Sequence, residues 1–309
     1  MPMPHRTFAQ VAKRRLVGKE GRERVREIQA LIAELPDYRN GPYADLRKAL
    51  QAEMVDTRVR ASAVHRDSIA VRREGAAQVA LVGPPNVGKS SVLQALSDIQ
   101  IRTGDFAFTT LRPIPALTRI GGVLVQLVEI PGLIAGANDD RGGGRALLGV
   151  LRSADAIVYC GRAGEDPATL RVVMDEVALA GIEAPAMVAV TRADEAAGDP
   201  VGAYAAAFPA MPVQAVSVLD DEALAALRDA VWSLTGLIRV RLRHDGTVDE
   251  EPLAVAPGAT VTDVADLVHH ELAVQTIGAR VWGPSARFEG QRVGREHAVT
   301  DGDVIEILR

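Results

Sequence analysis

The chain has 309 residues, of which 48% are hydrophobic and 24% charged, and its formal net charge at pH 7 is −5. This composition is typical of a soluble globular protein with two or three small cores. The single cysteine, Cys160, excludes an internal disulfide framework and fits a reducing cytoplasm, where we expect no disulfide-linked partner. The amino-terminal segment lacks the apolar region of a signal peptide, and the longest uncharged stretch, residues 201–219, contains two prolines. We therefore expect a cytoplasmic protein without a membrane span.

Charge is unevenly distributed along the chain. Residues 1–75 contain 16 Lys and Arg against 10 Asp and Glu, whereas the remaining residues contain 19 against 30. A basic segment on an otherwise acidic protein is a candidate surface for nucleic acid. The alternative is an ordinary solvated helix surface.

Residues 1–75 are predicted to form a basic helical hairpin. Two stripes of apolar residues recur at helical spacing: Val25, Ile28, Ile32 and Leu35, then Leu46, Leu50 and Met54. Between the stripes, "PDYRNGP" is a strong turn signal. The hairpin has too few apolar residues to predict an independent core.

Residues 76–236 alternate apolar runs with helical patterns. The runs are "QVALV", "VLVQLVEI", "DAIVYC", "AMVAVT" and "PVQAVSV". This alternation predicts an α/β domain with a mostly parallel sheet and helices on both faces. Ligands of such sheets bind at the carboxyl ends of the strands.

Residues 237–309 have a different pattern of apolar and charged residues. "IRVRLR" alternates apolar residues with three arginines, "PLAV", "ARVWG" and "DGDVIEILR" read as further strands, and "APGATVTDVADLVHHEL" reads as a turn and a capped helix. A small sheet with one covering helix is an α+β module.

The stretch "VALVGPPNVGKSSVLQAL" contains the pattern G-x-x-x-x-G-K-[ST] between a strand and a helix. In a P-loop the glycines let backbone N–H groups point at phosphate oxygens, Lys89 reaches the β- and γ-phosphates, and the Ser90 hydroxyl ligates Mg²⁺. The helix that follows adds its positive amino-terminal end. The predicted phosphate-binding residues are Gly83, Pro84, Asn86, Val87, Gly88, Lys89, Ser90 and Ser91.

The stretch "AMVAVTRADE" predicts which nucleotide base is bound. Its Thr191-Arg192-Ala-Asp194 is close to the Asn-Lys-x-Asp that reads guanine in GTPases. An Asp194 carboxylate would accept from two guanine donors, and adenine offers no such pair, so a buried Asp194 left unpaired would reject ATP. Thr191 is shorter than asparagine and is expected to lose a tie to the phosphate loop. On the next strand, Ser217 and Val218 are predicted to lie beside the base.

Two further segments are candidates for sensing the γ-phosphate. In "FAFTTLRPIP", Thr109 or Thr110 would complete the Mg²⁺ coordination begun by Ser90, and we assign Thr110 to the metal. In "LVEIPGLIAGA", Gly132 would donate its N–H to the γ-phosphate. Loops ordered by such contacts are released on hydrolysis.

In this order, the motifs resemble those of the Obg/DRG group of translation-factor-class GTPases (developmentally regulated GTP-binding proteins). The resemblance covers "GPPNVGKSSVLQALS", "FAFTTLRPIPALTRIGGVLVQLVEIPGLIAGA" and "GRALLGVLRSADAIVYC". The carboxyl-terminal "ARVWGPSARFEGQRVGREHAVTDGDVIEIL" is similar to the TGS domain of that group, a β-grasp module, and the hairpin resembles its amino-terminal region. The resemblance implies a P-loop NTPase G domain that binds and hydrolyses GTP, with a function linked to ribosomes or RNA.

Several positions depart from the family pattern. Glu129 replaces the aspartate that holds Mg²⁺ through water, Thr191 and Arg192 replace asparagine and lysine, and Val218 replaces alanine. The insert that DRG proteins carry before the guanine motif is missing. These departures put magnesium affinity and turnover in doubt.

The leading hypothesis is a slow GTPase switch that uses its basic hairpin and TGS domain on the ribosome or another RNA, with Lys89, Gly132 and Asn86 as catalytic residues. A rival is a scaffold that binds GTP or GDP without useful turnover, favoured by Glu129 and by Leu133, where many switch GTPases have glutamine. An ATPase would require a mispositioned Asp194. Asn86 matches GTPases that use K⁺ in place of an arginine finger, or it merely suits the turn.

Overall fold

The structure is a computed structural model that describes residues 8, 11–12, 15–16, 21–36, 41–66, 71–97, 99–100, 112–132, 136–139 and 144–309. The chain divides into two compact units, Met1–Ser68 and Ile69–Arg309, each considered by itself. Within the described ranges, no helix is long and apolar enough to cross a membrane.

The first unit is the predicted helical hairpin. Helix α1 spans Gly21–Glu34 and α2 spans Pro42–Arg66. Seven buried apolar side chains form one cluster, contributed by both helices and by helical residues that precede them: Phe8, Ala12, Leu16, Ile28, Leu31, Leu35 and Leu50. The expectation that the hairpin has too few apolar residues for its own core is therefore wrong, because residues before α1 supply three of the seven.

The second unit begins with the predicted mostly parallel sheet, whose strand order is β2-β3-β4-β1-β5-β6-β7. The strands are β1 Ala77–Val82, β2 Ile99–Gln100, β3 Ile114–Ile120, β4 Val123–Glu129, β5 Ala156–Arg162, β6 Ala186–Thr191 and β7 Val213–Val216. From β4 to β7 neighbouring strands are parallel, and β3 pairs antiparallel with β4. Strand β3 was not predicted, although "ALTRI" and "VLVQL" flank a Gly-Gly pair, which is a hairpin signal.

Helices cover both faces of this sheet. They are α3 Lys89–Leu96, α4 Gly144–Leu151, α5 Ala168–Leu179, α6 Gly202–Ala207 and α7 Asp221–Thr235. Two buried apolar clusters result: α3 and α7 pack on one face, and α4, α5 and α6 pack on the other. All six residues of β1 are buried, as expected for a central strand enclosed on both sides.

The carboxyl-terminal part is the predicted β-grasp module. Its sheet has the order β10-β8-β13-β11-β12, with β9 paired to β8. The strands are β8 Ile238–His244, β9 Thr247–Val248, β10 Leu253–Val255, β11 Gly278–Trp282, β12 Gln291–Gly294 and β13 Val304–Leu308. Helix α8 spans Val261–Val268 and begins with a Thr260–Asp263 capping box, and the short α9 spans His270–Gln275. Apolar residues of α8 and of one sheet face enclose a separate core.

The β3–β4 turn meets the β-grasp module. Arg239 of β8 places its guanidinium carbon 4.1 Å from the ring centre of Trp232, which belongs to α7. A Cβ atom built on Gly121 would lie 2.5 Å from the same carbon, so a side chain at this position would require the arginine to move. Arg119 and Glu251 add an ion pair at 2.6 Å.

Candidate nucleotide-binding site

The predicted phosphate loop runs from the end of β1 to the start of α3. A Cβ on Gly83 would lie 2.2 Å from the carbonyl oxygen of Cys160, so the loop leaves β1 in close contact with β5. Gly88 has φ +96° and Asn86 has φ +62°, left-handed conformations that favour glycine and asparagine. Val87 is buried in the core, so only its backbone faces the loop.

Lys89 is held inside this loop. Its side chain is buried, and Nζ donates to the carbonyl oxygens of Gly83 at 3.0 Å and Pro84 at 2.7 Å. Burial lowers the pKa of the Lys89 amine. Phosphate oxygens brought to the same place would replace two neutral carbonyls by charged acceptors, which stabilise a desolvated ammonium group more strongly.

Ser90 and Glu129 form the candidate magnesium site. The Ser90 hydroxyl donates to Glu129 Oε1 at 2.7 Å, across 39 residues of sequence. Glu129 ends β4 with a side chain only 7% exposed, and its Oε2 is buried without a hydrogen-bond partner in the described part of the chain. Mg²⁺ prefers hydroxyl and carboxylate oxygens and keeps several waters. A buried carboxylate with one free oxygen beside a hydroxyl therefore fits the metal.

Gly132, the candidate γ-phosphate sensor, lies beside the phosphate loop. A Cβ on Gly132 would lie 2.7 Å from Cγ of Pro85, so the backbone after β4 approaches the loop as closely as glycine permits. The other residues predicted here, Thr109, Thr110 and Leu133, lie outside the described residues.

Thr191 ties the guanine segment to the phosphate loop. Its hydroxyl is buried, donates to the backbone carbonyl of Val87, and lies 3.0 Å from the carbonyl oxygen of Gly161. The expectation that threonine loses this tie is wrong. A short side chain suffices because Thr191 ends β6 within reach of the loop backbone.

Asp194 and Ser217 line one pocket. The pocket has a volume of about 340 Å³ and lies beyond the carboxyl ends of β6 and β7; its lining comprises Ala193, Asp194, Ala215, Ser217, Leu219, Asp220 and Ala223. Asp194 is exposed in a 3-10 turn, whereas Ser217 is buried and accepts from the Leu219 N–H at 3.2 Å. The side chain of Val218 does not line the pocket and is 40% exposed.

Arg192 adopts a left-handed conformation with φ +54°. Its guanidinium donates to Glu195 at 3.1 Å, and the other carboxylate oxygen of Glu195 accepts from Arg162 at 2.9 Å. Glu195 therefore holds the exposed Arg192 side chain close to Asp194.

Glu176 of α5 was not predicted as part of the site. Its carboxylate accepts from the backbone N–H of Gly136 at 2.7 Å and from the Asn138 side chain at 2.7 Å. These hydrogen bonds lower the pKa of the Glu176 carboxyl. Glu176 thereby anchors the segment that follows Gly132 in the chain. The contact spans about forty residues and has no local sequence signal.

Comparisons with known proteins match two parts of the chain. Residues 78–192 match the family model described as 50S ribosome-binding GTPase, and residues 238–309 match the TGS domain model. An uncharacterized GTP-binding protein of Halobacterium salinarum is 27% identical over 365 residues, covering 93% of this chain and 98% of the relative. The developmentally-regulated GTP-binding protein 2 homolog of Dictyostelium discoideum is 25% identical, covering 93% and 99%.

The first alignment is longer than the 309 residues of this chain, so the relative contains residues without a counterpart here. Among solved structures, the G domain of the T. maritima FeoB iron transporter has a TM-score of 0.44 at 21% identity, covering 51% of this chain and 98% of that one. A TM-score of this size supports no conclusion on its own.

Proposed function

Because this chain belongs to the Obg/DRG family of GTP-binding proteins, with a G domain followed by a TGS domain, we propose that it is a slow, Mg²⁺-dependent GTPase switch acting on the ribosome or another RNA partner. One observation carries the proposal of hydrolysis. The Ser90 hydroxyl oxygen and Glu129 Oε1 lie 2.7 Å apart next to the P-loop lysine, and Oε2 of Glu129 has no hydrogen-bond partner among the described residues. A buried carboxylate is costly to keep without a partner, so a cation at this place would explain it.

Guanine recognition is assigned to the pocket of Asp194 and Ser217. The Asp194 carboxylate would accept from guanine N1–H and the exocyclic amine, and the stem of Arg192 would lie along the purine. Thr191 would hold this segment against the phosphate loop through Val87, so base and phosphates would be bound in one fixed relation. Asp194 is exposed, contrary to the burial that the sequence predicted, so the rejection of ATP would require a bound base to cover the carboxylate.

Catalysis would rest on positioning and charge stabilisation. Lys89 would exchange its two backbone carbonyls for β- and γ-phosphate oxygens, and the loop N–H groups and Gly132 N–H would donate to the same charge. Ser90 and Glu129, with Thr110, would hold Mg²⁺, which when bound neutralises charge on the β- and γ-phosphates. Leu133 has no polar group to orient a water molecule, so we expect slow turnover.

A GTP-binding scaffold with little or no hydrolysis is the second candidate. The direction of the Ser90–Glu129 hydrogen bond is the reason to keep it, because the serine hydroxyl that should ligate the metal donates to the glutamate, whereas the unpaired Oε2 supports the metal. In this candidate Glu129 competes with Mg²⁺ for Ser90, and GTP acts as a structural element.

Potassium is a further candidate cofactor. Asn86 would present its amide oxygen to K⁺ near the phosphates, but its φ of +62° equally favours the simple turn explanation. If K⁺ contributes, turnover is higher in KCl than in NaCl at equal ionic strength, and Asn86→Ala abolishes the difference.

Phosphate release measured at saturating magnesium tests the function, with Glu129→Asp as the decisive variant. Restoring the shorter acid should free Ser90 and raise turnover by about tenfold, as outer-shell metal partners commonly do. The exposed Glu165→Asp provides the matched control and should leave turnover unchanged. If neither wild type nor Glu129→Asp releases phosphate above background, with or without ribosomal particles, the scaffold is the better account.

The partner is tested by co-sedimentation with ribosomal particles in GTP, GDP or no nucleotide. The family description names the 50S ribosome, and this is the basis for proposing it here. A switch should sediment more with one nucleotide than with the other. Equal sedimentation in all three conditions contradicts a switch. We also place the protein in the cytoplasm, which the free, buried Cys160 supports.

A further inference from the structure

The TGS domain concentrates arginines on one face of its sheet. Residues 238–309 contain 8 arginines and 12 acidic residues, so the module is acidic overall. In β8, β11 and β13, Val240, Ala279, Val281 and Ile305 are fully buried in the core under α8. Because successive side chains alternate between faces, five arginines of β8, β11 and β12 lie on the opposite face, and one of them, Arg239, is packed against Trp232. We call the other four the arginine face: Arg241, Arg243, Arg280 and Arg292.

The strand register brings these arginines close together. Arg280 of β11 lies opposite Arg292 of β12 on one side and opposite Glu306 of β13 on the other. Arg241 of β8 lies opposite Val304 of β13. Paired positions on neighbouring strands have Cβ atoms about 5 Å apart. The face therefore presents several cations within the reach of one short anionic chain.

The arginine face is almost free of neutralising charge. Among the described residues, none of its four arginines forms an ion pair, and Arg241, Arg280 and Arg292 are exposed. Glu306 is the one acidic residue in strands β8, β11, β12 and β13, which the structure describes in full. Like charges kept adjacent and unpaired oppose folding slightly, so a polyanionic partner complements this face.

Arg243 is held in a defined place. Its guanidinium carbon lies 4.3 Å from the ring centre of Trp282, and Gly290 lies against the same indole, where an added Cβ would be 3.3 Å from Nε1. The tryptophan is thus packed beneath the arginine. The free side of a guanidinium supported in this way is a surface on which an unstacked base can lie.

We infer that the arginine face binds a single-stranded segment of RNA, an inference that rests on the proposed action of this protein on an RNA partner. The open side of a sheet can accommodate splayed bases, while exposed arginines contact phosphates on either side. An anionic membrane or an acidic peptide would use the charge but not the supported guanidinium. The base-stacking contribution therefore distinguishes RNA from these other polyanions.

The first experiment uses the full chain and a short fluorescent single-stranded RNA, with affinity measured by anisotropy over a range of salt concentrations. The test variant is Arg280→Glu with Arg292→Glu, two paired residues of the face. Its affinity at low salt should fall about tenfold or more, and the slope of log affinity against log salt should flatten by about 1.4, because two phosphate contacts are lost.

The matched control is Arg287→Glu with Arg295→Glu. Both residues are exposed and belong to the same domain, but Arg287 lies in a loop and Arg295 contacts Thr262 at the start of α8. The control changes charge equally and should retain wild-type RNA affinity. GTP affinity should be unchanged in both, which verifies that the G domain is folded. Should the test variant lose GTP binding, Arg280→Gln with Arg292→Gln takes its place.

The second experiment isolates the stacking contribution with Arg243→Lys. Lysine keeps the charge but not the planar group, so RNA affinity should fall about threefold or more at an unchanged salt slope, while inorganic polyphosphate should bind as to wild type.

Equal RNA affinity of the test and control variants overturns the inference and leaves the proposed RNA function to the helical hairpin. Absence of RNA binding by the wild-type protein overturns both the inference and the proposed RNA function. Tighter binding of duplex RNA, of phosphatidylglycerol vesicles or of an acidic peptide overturns the inference in favour of that partner.

Discussion

Glu129 shows how one methylene group matters at the residue scale. Its carboxylate reaches Ser90 Oγ at 2.7 Å while remaining almost completely buried. A buried carboxylate is tolerated when each oxygen has a partner, and here only one has a partner among the described residues. The residue at position 129 therefore distinguishes a metal-dependent GTPase switch from a GTP-binding scaffold without hydrolysis.

Guanine selectivity also belongs to a single residue. Asp194→Asn replaces one acceptor oxygen by a donor that faces two donors of the base. Binding of GTP should weaken by about 2 kcal/mol, roughly thirtyfold, because a charge-assisted hydrogen bond is lost and a donor is left unpaired. The same asparagine should bind xanthosine triphosphate better than wild type does, since that base carries an oxygen where guanine has its amine. Fluorescent-nucleotide competition with GTP, XTP and ATP measures both effects.

Asp220→Asn is the matched control for this variant. Asp220 lines the same pocket, but its Oδ1 accepts from the Glu222 and Ala223 N–H groups and caps α7, a role that asparagine also performs. It should leave nucleotide preference unchanged. If Asp194→Asn retains wild-type GTP affinity and preference over ATP, guanine is read elsewhere.

The β3–β4 hairpin connects two functional regions at the scale of elements. Its strand β4 ends at Glu129 in the nucleotide site, and its turn at Gly121 receives Arg239 of the TGS domain. Arg239 is enclosed there by the Trp232 ring, and its buried Nε has no hydrogen-bond partner among the described residues. Shape and stacking hold this contact together, without a hydrogen bond from Nε.

Gly121→Ala should therefore loosen the TGS domain from the G domain. The new methyl group would displace the Arg239 guanidinium from Trp232, at a cost of about 1 kcal/mol in lost cation–π contact. Gly181→Ala is the control, because Gly181 has a similar φ of +66° against +58° at Gly121 and no atom within 4 Å of its Cβ position.

Both variants carry the penalty of alanine at positive φ, and the difference between them isolates the Arg239 contact. Chemical denaturation followed by tryptophan fluorescence should show the larger loss for Gly121→Ala. Equal losses in the two variants would mean that Arg239 adjusts at no cost.

Charge is organised at the scale of the whole molecule. The amino-terminal segment is basic and the rest acidic, but the structure changes which basic residues are available. Arg15 contacts Glu27 and Glu34 of α1, and Arg24 contacts Glu53 of α2. These arginines stabilise the hairpin, so reversing Arg15 would place like charges together. The basic segment also contains Lys13, Arg14 and Arg22, but the first two residues and the side chain of Arg22 lie outside the described residues.

Arg26 and Lys48 are the better test of the hairpin, because both are exposed. Reversing both to glutamate should weaken binding to ribosomal particles and flatten its salt dependence by about 1.4 to 1.8, since two phosphate contacts are removed. Arg152→Glu with Arg171→Glu, two exposed arginines of the G domain, is the charge-matched control. An unchanged slope in the hairpin variant supports the solvated-surface interpretation instead.

Features that depend on contiguous residues were predictable from the sequence. The phosphate loop, the alternating strand and helix pattern, and the capped helix of the TGS domain follow from local propensities, apolar periodicity and the special backbone needs of glycine. The strand β3 was predictable in the same way from its Gly-Gly turn and was overlooked.

Contacts between distant segments of the chain became known only from the fold. Thr191 reaches Val87 across 104 residues and Ser90 reaches Glu129 across 39, and neither distance can be read from residue type. The same holds for Arg239 against Gly121 and for the register that gathers the arginine face. Such contacts depend on how elements pack, and packing is set by the sum of many weak interactions that no short stretch of sequence contains.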